Sequence, residues 1–166
     1  MYSLCRISFE EIYDVWQTQL WPGRTKYDDI NKISTLTIKK NKLEQQTYIK
    51  RYESTVVFFG LKYTNNYYEE KEELVGVNSG AQCGLRLYRS RGLWINSKHR
   101  GLGGAKDLLN VVIEEGKNRG CNKIWSLPRK NSLYAYEKAG FKKQSDWIED
   151  DVEFGPNCIV TRPIDL

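Results

Sequence analysis

The tightest constraint on this chain is the stretch Trp94-Ile95-Asn96-Ser97-Lys98-His99-Arg100-Gly101-Leu102-Gly103-Gly104-Ala105. Upstream of it, Leu87 to Ile95 alternates in strand fashion and is rich in β-compatible residues. Downstream, Ala105, Leu108, Leu109, Val112, Ile113 and Gly116 recur at helical spacing, so an apolar-striped helix runs on until Gly120 stops it. A strand that feeds a helix through Gly101, Gly103 and Gly104 gathers free N–H groups and the positive end of a helix dipole at one point. Glycine lets the backbone bend there and approach a ligand without side-chain interference. The stretch predicts a cradle for phosphate or pyrophosphate.

Two common cradles are excluded. A nucleotide P-loop needs Gly-Lys-Ser/Thr after its first glycine, and no such run follows here. The dinucleotide fingerprint Gly-x-Gly-x-x-Gly also fails, because Gly101-Leu102-Gly103 continues into Gly104, Ala105 and Lys106. Arg100-Gly101-Leu102-Gly103-Gly104-Ala105 does fit Arg/Gln-x-x-Gly-x-Gly/Ala. That pattern resembles the pyrophosphate-binding turn of the GNAT superfamily of CoA-dependent N-acyltransferases. Further on, Asn131-Ser132-Leu133-Tyr134-Ala135-Tyr136-Glu137-Lys138-Ala139-Gly140-Phe141 is similar to the closing signature of the same superfamily, an Asn-led helix ending Tyr-x-Lys-x-Gly-Phe. The resemblance covers residues 54 to 145 well and the flanks in general layout. Leu20-Trp21-Pro22-Gly23-Arg24 with Tyr88-Arg89-Ser90-Arg91-Gly92 is also similar to acetyltransferase-like proteins carried by bacteriophages.

The resemblance implies a single α/β domain over residues 1–166 with a mixed, mostly antiparallel sheet of about six to seven strands and about four flanking helices. It also implies that strands 4 and 5 splay apart to form a CoA cleft. The length suits one domain with a sizeable core. No apolar run approaches a membrane span and no signal peptide is visible, so a cytoplasmic protein is expected, in the host cytoplasm if phage-encoded. Cys5, Cys83, Cys121 and Cys158 are scattered and the chain has one His, which predicts reduced thiols and no metal site. A net charge of +5 permits a nucleic-acid or acidic substrate without demanding one.

In chain order, Met1 to Ile7 reads as a strand, and Ser8-Phe9-Glu10-Glu11 has the form of a capping box. The helix it opens carries Ile12, Val15, Trp16 and Leu20 on one face, and Trp21-Pro22-Gly23 stops it. Residues 25–53 are polar and Lys-rich, with one or two short helices expected. Strands follow at Thr55–Leu61, Leu74–Gly80, Leu87–Ile95 and Lys123–Leu127, with a polar hairpin loop from Tyr63 to Glu73. Two last strands are expected at Lys142–Trp147 and Glu153–Thr161.

The chemistry of acyl transfer to an amine sets what the site must supply. A free lysine at pH 7 is neutral only to about one part in a few thousand, so the amine proton needs a route out. Attack creates an oxyanion, which a backbone N–H of the fourth strand can stabilise. The leaving thiolate benefits from a proton donor. By resemblance Tyr136 is that donor; a tyrosine also stays protonated at pH 7. Packing of Tyr136 on the core face of its helix is the structural alternative. Family members often show a wider gap between the Asn and the Tyr, which bears on the aim of the ring.

The resemblance further implies main-chain contacts from Trp94 and Ile95 to the thioester and pantetheine arm. It places backbone N–H groups of Arg100, Gly101, Leu102, Gly103, Gly104 and Ala105 on the pyrophosphate, and Asn131 on the pantetheine or as a helix cap. Some members carry a Glu on the fourth strand as base; here Arg89, Ser90 and Arg91 stand there. The acidic run Asp146, Glu149, Asp150 and Asp151 offers a carboxylate base but reads rather as a solvated loop. A water relay past Ser126, itself expected on the acceptor side with Arg89 and Arg91, or past backbone carbonyls is equally open. Arg89 and Arg91 share one strand face, which suits an acidic acceptor or else solvent and neighbouring acids. His99 is expected exposed.

The expected activity is transfer of acetyl from acetyl-CoA to a primary amine of a small molecule or protein, by a monomer or homodimer without metal or membrane. A nucleobase or tRNA acyltransferase and a catalytically silent CoA-fold binding module remain as alternatives.

Overall fold

The computed structural model describes residues 1–22, 51–65, 71–149 and 155–165. The first strand, β1 (Tyr2–Arg6), runs into helix α1 (Phe9–Val15). The capping box forms as expected: the Glu11 N–H donates to Ser8 Oγ at 3.1 Å and the Ser8 N–H donates to Glu11 Oε2 at 3.0 Å. The helix does not end regularly. Trp16–Leu20 widens into a π-turn, closed by the Trp21 N–H on the Trp16 carbonyl at 2.6 Å, and then stops before Pro22.

Strands β2 (Val57–Thr64), β3 (Glu72–Gln82) and β4 (Leu87–Ile95) follow, then helix α2 (Gly104–Asn118), strand β5 (Lys123–Ser126), the short helix α3 (Leu133–Lys138), and strands β6 (Lys142–Lys143) and β7 (Val160–Pro163). They form one sheet ordered β1-β2-β3-β4-β5-β7-β6, antiparallel throughout except for β4 beside β5. β4 occupies the span expected of it. Thr55 belongs instead to a 3-10 turn, Glu53–Thr55, and the strand expected over Lys142–Trp147 pairs only at Lys142 and Lys143. The short helices expected between residues 25 and 53 fall mainly outside the described residues, as do Asp150 and Asp151.

The main core lies between the sheet and α2. Leu108, Leu109, Val112 and Ile113 of the expected stripe are all buried there. Full burial of each such side chain is worth about 1.5–3 kcal/mol. A second cluster, Ile12, Trp16, Trp21 and Val77, fills the space between the sheet's other face and the α1 segment.

The feature that positions the site is an irregularity in β4. From Arg91 to Trp94 the strand advances three residues while its β3 partners advance two, from Ser79 to Val77. β4 therefore carries a bulge at Gly92 and Leu93, with Gly92 at φ +78°. The extra residue inverts the strand's facing. Before it, Tyr88 packs against Val112 and Gly116 on the α2 side, while Arg89 and Arg91 face the other way. After it, Ile95 lies on the α2 side near Leu108 and Trp94 packs with the α1 cluster. Beyond Arg89, which pairs with Trp125, β4 has no registered partner on β5.

Candidate functional site

The gap left where β4 and β5 part opens onto a cavity of about 600 Å³, within the usual size for a small-molecule site. One wall is Leu93, Trp94 and Ile95 of β4, and another is the turn from His99 through Lys106. Arg129, Asn131, Ser132, Tyr134, Ala135 and Lys138 line a third, and Gln19 and Leu20 of the π-turn reach one end.

The turn is built as its sequence predicts. Asn96 Oδ1 accepts the Lys98 N–H at 3.0 Å and opens a 3-10 turn over Ser97–His99. Gly103 then caps α2 in the left-handed region, φ +86°, without any side chain to occupy the helix's first N–H groups. A Cβ on Gly103 would meet nothing within 4 Å, so glycine is required by the backbone angle rather than by crowding. Among the described residues that line the cavity, every charged one is cationic: Arg100, Lys106, Arg129 and Lys138. Helix-start N–H groups beside four cations make a strong field for a polyanion.

The β4 wall presents backbone. The Asn96 N–H donates to the Val75 carbonyl at 2.8 Å, which fixes residues 96 and 94 as facing β3 and leaves the Ile95 N–H and carbonyl facing the gap. The Ile95 carbonyl there accepts Arg100 Nε at 3.1 Å. Leu93, in the bulge, has no registered partner on β3. Its N–H shares a trans peptide plane with the Gly92 carbonyl and so points opposite to it.

Tyr136 reaches the point where the strands part but does not line the cavity. It is 3% exposed, and its hydroxyl lies 3.1 Å from Ser126 Oγ. Ser126 Oγ in turn donates to the Ser90 carbonyl at 2.7 Å, and Ser90 Oγ exchanges hydrogen bonds with the Asn78 amide at 2.9 and 3.1 Å. Ser126, expected on the acceptor side, thus bridges β5 to β4 at the closed end of the gap. Tyr134, on the same helix as Tyr136, is 69% exposed on the cavity wall with Lys138 Nζ 4.9 Å from its ring centre.

Arg89 and Arg91 share a face as expected, but that face is neither solvent nor the cavity wall. They are 1% and 8% exposed. The Arg89 guanidinium lies 4.7 Å from the Trp125 ring centre, and that of Arg91 lies 4.9 Å from Trp21 and 5.8 Å from Trp16. Leu102 projects outward, 66% exposed, and is absent from the wall. His99 is half-buried rather than exposed, its Nδ1 2.8 Å from Tyr2 Oη. Asp146 and Glu149 are exposed, away from the cavity lining.

Sequence reasoning missed several wall residues. Lys138 could have been found, since it is the Lys of Tyr-x-Lys-x-Gly-Phe. Lys106 follows the turn on the first turn of α2. Arg129 and the π-turn residues carry no local signal; Arg129 Nη2 donates to the Leu20 carbonyl at 2.8 Å, a contact made only by the fold. Burial raises the Cys83 thiol to about 11 and also pushes up Cys121 and Cys158, which disfavours these thiols as nucleophiles. Among the described residues no cluster of His, Cys, Asp or Glu could hold a metal ion, and no helix is long and apolar enough to cross a membrane.

A parallel β4/β5 pair parting over a glycine turn is the layout expected of a GNAT domain, and comparison with known proteins identifies the family. Residues 12–141 match the family model described as the acetyltransferase (GNAT) family. The chain belongs to that family. A comparison with curated proteins finds no significant match. Among solved structures, an acetyltransferase of the GNAT family from Staphylococcus aureus is similar at TM-score 0.64 and 15% identity, covering 99% of this chain and 100% of its own. The ribosomal-protein-S18-alanine N-acetyltransferase of Escherichia coli gives TM-score 0.61 and 15% identity over 100% and 96% of the two chains. N-acetylglutamate synthase from Neisseria gonorrhoeae, solved with coenzyme A and N-acetyl-glutamate, gives 0.60 and 13% over 100% of this chain and 36% of that one.

Proposed function

We propose that the protein is a cytoplasmic N-acetyltransferase that moves an acetyl group from acetyl-CoA to a primary amine of a small molecule or protein. The observation that carries this reading is the α2 start, with its bare N–H groups and cationic surround, opening on the same cavity as the unpaired β4 backbone. In this reading the N–H groups between Arg100 and Ala105 hold the pyrophosphate. Trp94 and Ile95 meet the pantetheine arm and thioester through their main chain, and Asn131 meets the arm from the third wall. Lys106, Lys138 and Arg129 add positive charge to the cavity walls.

The amine nitrogen attacks the thioester carbonyl carbon, and the carbonyl electrons move onto oxygen. Collapse restores the carbonyl, breaks the C–S bond and releases the CoA thiolate, while the nitrogen gives its proton to water, from which the tyrosine that protonates the thiolate is reloaded. The Leu93 N–H is the strand donor suited to the oxyanion. Tyr136 supplies the thiolate's proton, and the Ser126 hydroxyl, bonded to the Ser90 carbonyl, holds the tyrosine at the gap's closed end. Arg89 and Arg91 act on the acceptor through their field and favour one that carries negative charge.

Titration calorimetry with acetyl-CoA tests the reading. Gly103→Val forces a β-branched residue into the left-handed region at a cost of about 1–2 kcal/mol and displaces the helix-start N–H groups. Acetyl-CoA affinity should fall by about tenfold or more, with the protein still folded. Equal affinity for wild type and variant, with acetyl-CoA located elsewhere in a structure, would refute the site.

The arginines give a separate test once an acceptor is in hand. Arg89→Gln with Arg91→Gln should raise the KM of an acidic acceptor and leave acetyl-CoA affinity alone. Unchanged acceptor kinetics would return both residues to a purely structural role.

A further inference from the structure

The Gly92–Leu93 peptide is held from outside the sheet. Trp16, at the entrance of the π-turn, is fully buried, and its indole Nε1 donates to the Gly92 carbonyl at 2.9 Å. This is a long-range contact, from a helical segment near the N-terminus to the bulge in β4. Three further observations show that the contact is built rather than incidental. The Trp21 N–H closes on the Trp16 carbonyl at 2.6 Å, a five-residue spacing that an ordinary helix would not give Trp16. The Arg91 guanidinium lies over both Trp16 and Trp21, clamping the indole from the strand immediately before the bulge. A Cβ at Gly92 would overlap the indole, so the close approach depends on glycine at that position.

A trans peptide is rigid, and its N–H points opposite to its carbonyl. Drawing the Gly92 carbonyl to the α1 side of the sheet therefore turns the Leu93 N–H to the other side. That is where Leu93 lines the cavity and packs with the α2 core. The flanking residues have other anchors: Arg91 and Trp94 are paired with β3, but the register gives Gly92 and Leu93 no partner there. Within the bulge the indole holds this peptide by its carbonyl.

We propose that Trp16 is a positioning residue for acyl transfer, its indole N–H aiming the Leu93 N–H at the thioester carbonyl by holding the Gly92 carbonyl. The inference rests on the acetyltransferase reading above and adds to it a residue outside the cavity lining. It also assigns a role to the π-turn, which sets the indole against β4.

The test needs no knowledge of the acceptor. Acetyl-CoA carrying ¹³C at the acetyl carbonyl is bound to wild type and to a protein with 3-benzothienylalanine at position 16, which keeps the bicyclic shape and lacks the N–H. Isotope-edited infrared difference spectra then report the thioester carbonyl stretch. Wild type should shift the stretch to lower frequency relative to free acetyl-CoA, as a hydrogen bond to the carbonyl requires. The isostere should lose most of that shift while binding acetyl-CoA equally well. Trp16→Phe, a coarser variant, should show the same loss if it folds. With an amine acceptor, the isostere's kcat should fall by about tenfold or more at unchanged KM for acetyl-CoA, since a misaimed donor acts on the transition state. An unchanged carbonyl shift in the isostere overturns the proposal and leaves the acetyltransferase reading standing. A wild type that binds no acetyl-CoA overturns both, and the two failures are told apart in the wild-type arm alone.

Discussion

Tyr136→Phe should lower kcat by about a hundredfold and leave acetyl-CoA affinity unchanged. The substitution keeps the ring, which packs edge-on against Phe141 at 5.3 Å, and removes the hydroxyl shared with Ser126. Loss of one buried hydrogen bond should cost about 1 kcal/mol, and the melting temperature should fall by about 2–4 °C. Single-turnover thioester cleavage, measured beside a melting curve, separates the two effects. The proton donor is needed only as the C–S bond breaks, so the loss belongs in the chemical step. A variant with wild-type kcat on its true acceptor would show that Tyr136 is a core residue and that the thiolate takes its proton elsewhere.

The largest stability effect is expected at Gly92. Gly92→Ala places a methyl group against the Trp16 indole and an L side chain at φ +78°. The left-handed angle costs about 1–2 kcal/mol and overpacking a further 1–3. A sum near 3 kcal/mol should lower the melting temperature by about 6–12 °C. A much smaller drop, by calorimetry, would mean that the α1 segment moves aside and that its hold on the bulge is weak. Gly101 and Gly103 also have positive φ but have open space where a Cβ would go, so their demand is on the ligand's approach and the turn angle alone.

The glycine turn and α2 were legible because local chemistry decides them: glycines at positive φ, then an apolar stripe of period 3.6. The capping box at Ser8 was legible for the same reason. The surroundings of Arg89 and Arg91 were not. Strand alternation puts them on one face, but there they meet the indoles of Trp16, Trp21 and Trp125, two of which come from the distant α1 segment and the turn that ends it. The bulge escaped as well. Gly92 sits inside a strand-like run, and only the β3 register reveals the added residue. Ser126 read as an acceptor-side residue because nothing in the sequence tells that Ser90 lies opposite it.

The added residue in β4 has a consequence of counting. Strand faces are assigned by odd and even positions, and at Gly92 the two sets trade places. Substitutions along Leu87–Ile95 are therefore judged one residue at a time, each by its own neighbours. A deletion of one residue between Arg91 and Trp94 would set Trp94 two places after Arg91, just as Val77 stands two places from Ser79, and the ladder would close without a bulge. Ile95 would keep the α2 side, and its carbonyl would still face the gap. What would go is the turned-out peptide whose carbonyl meets the Trp16 indole. In this stretch chain length, more than composition, decides whether that peptide exists.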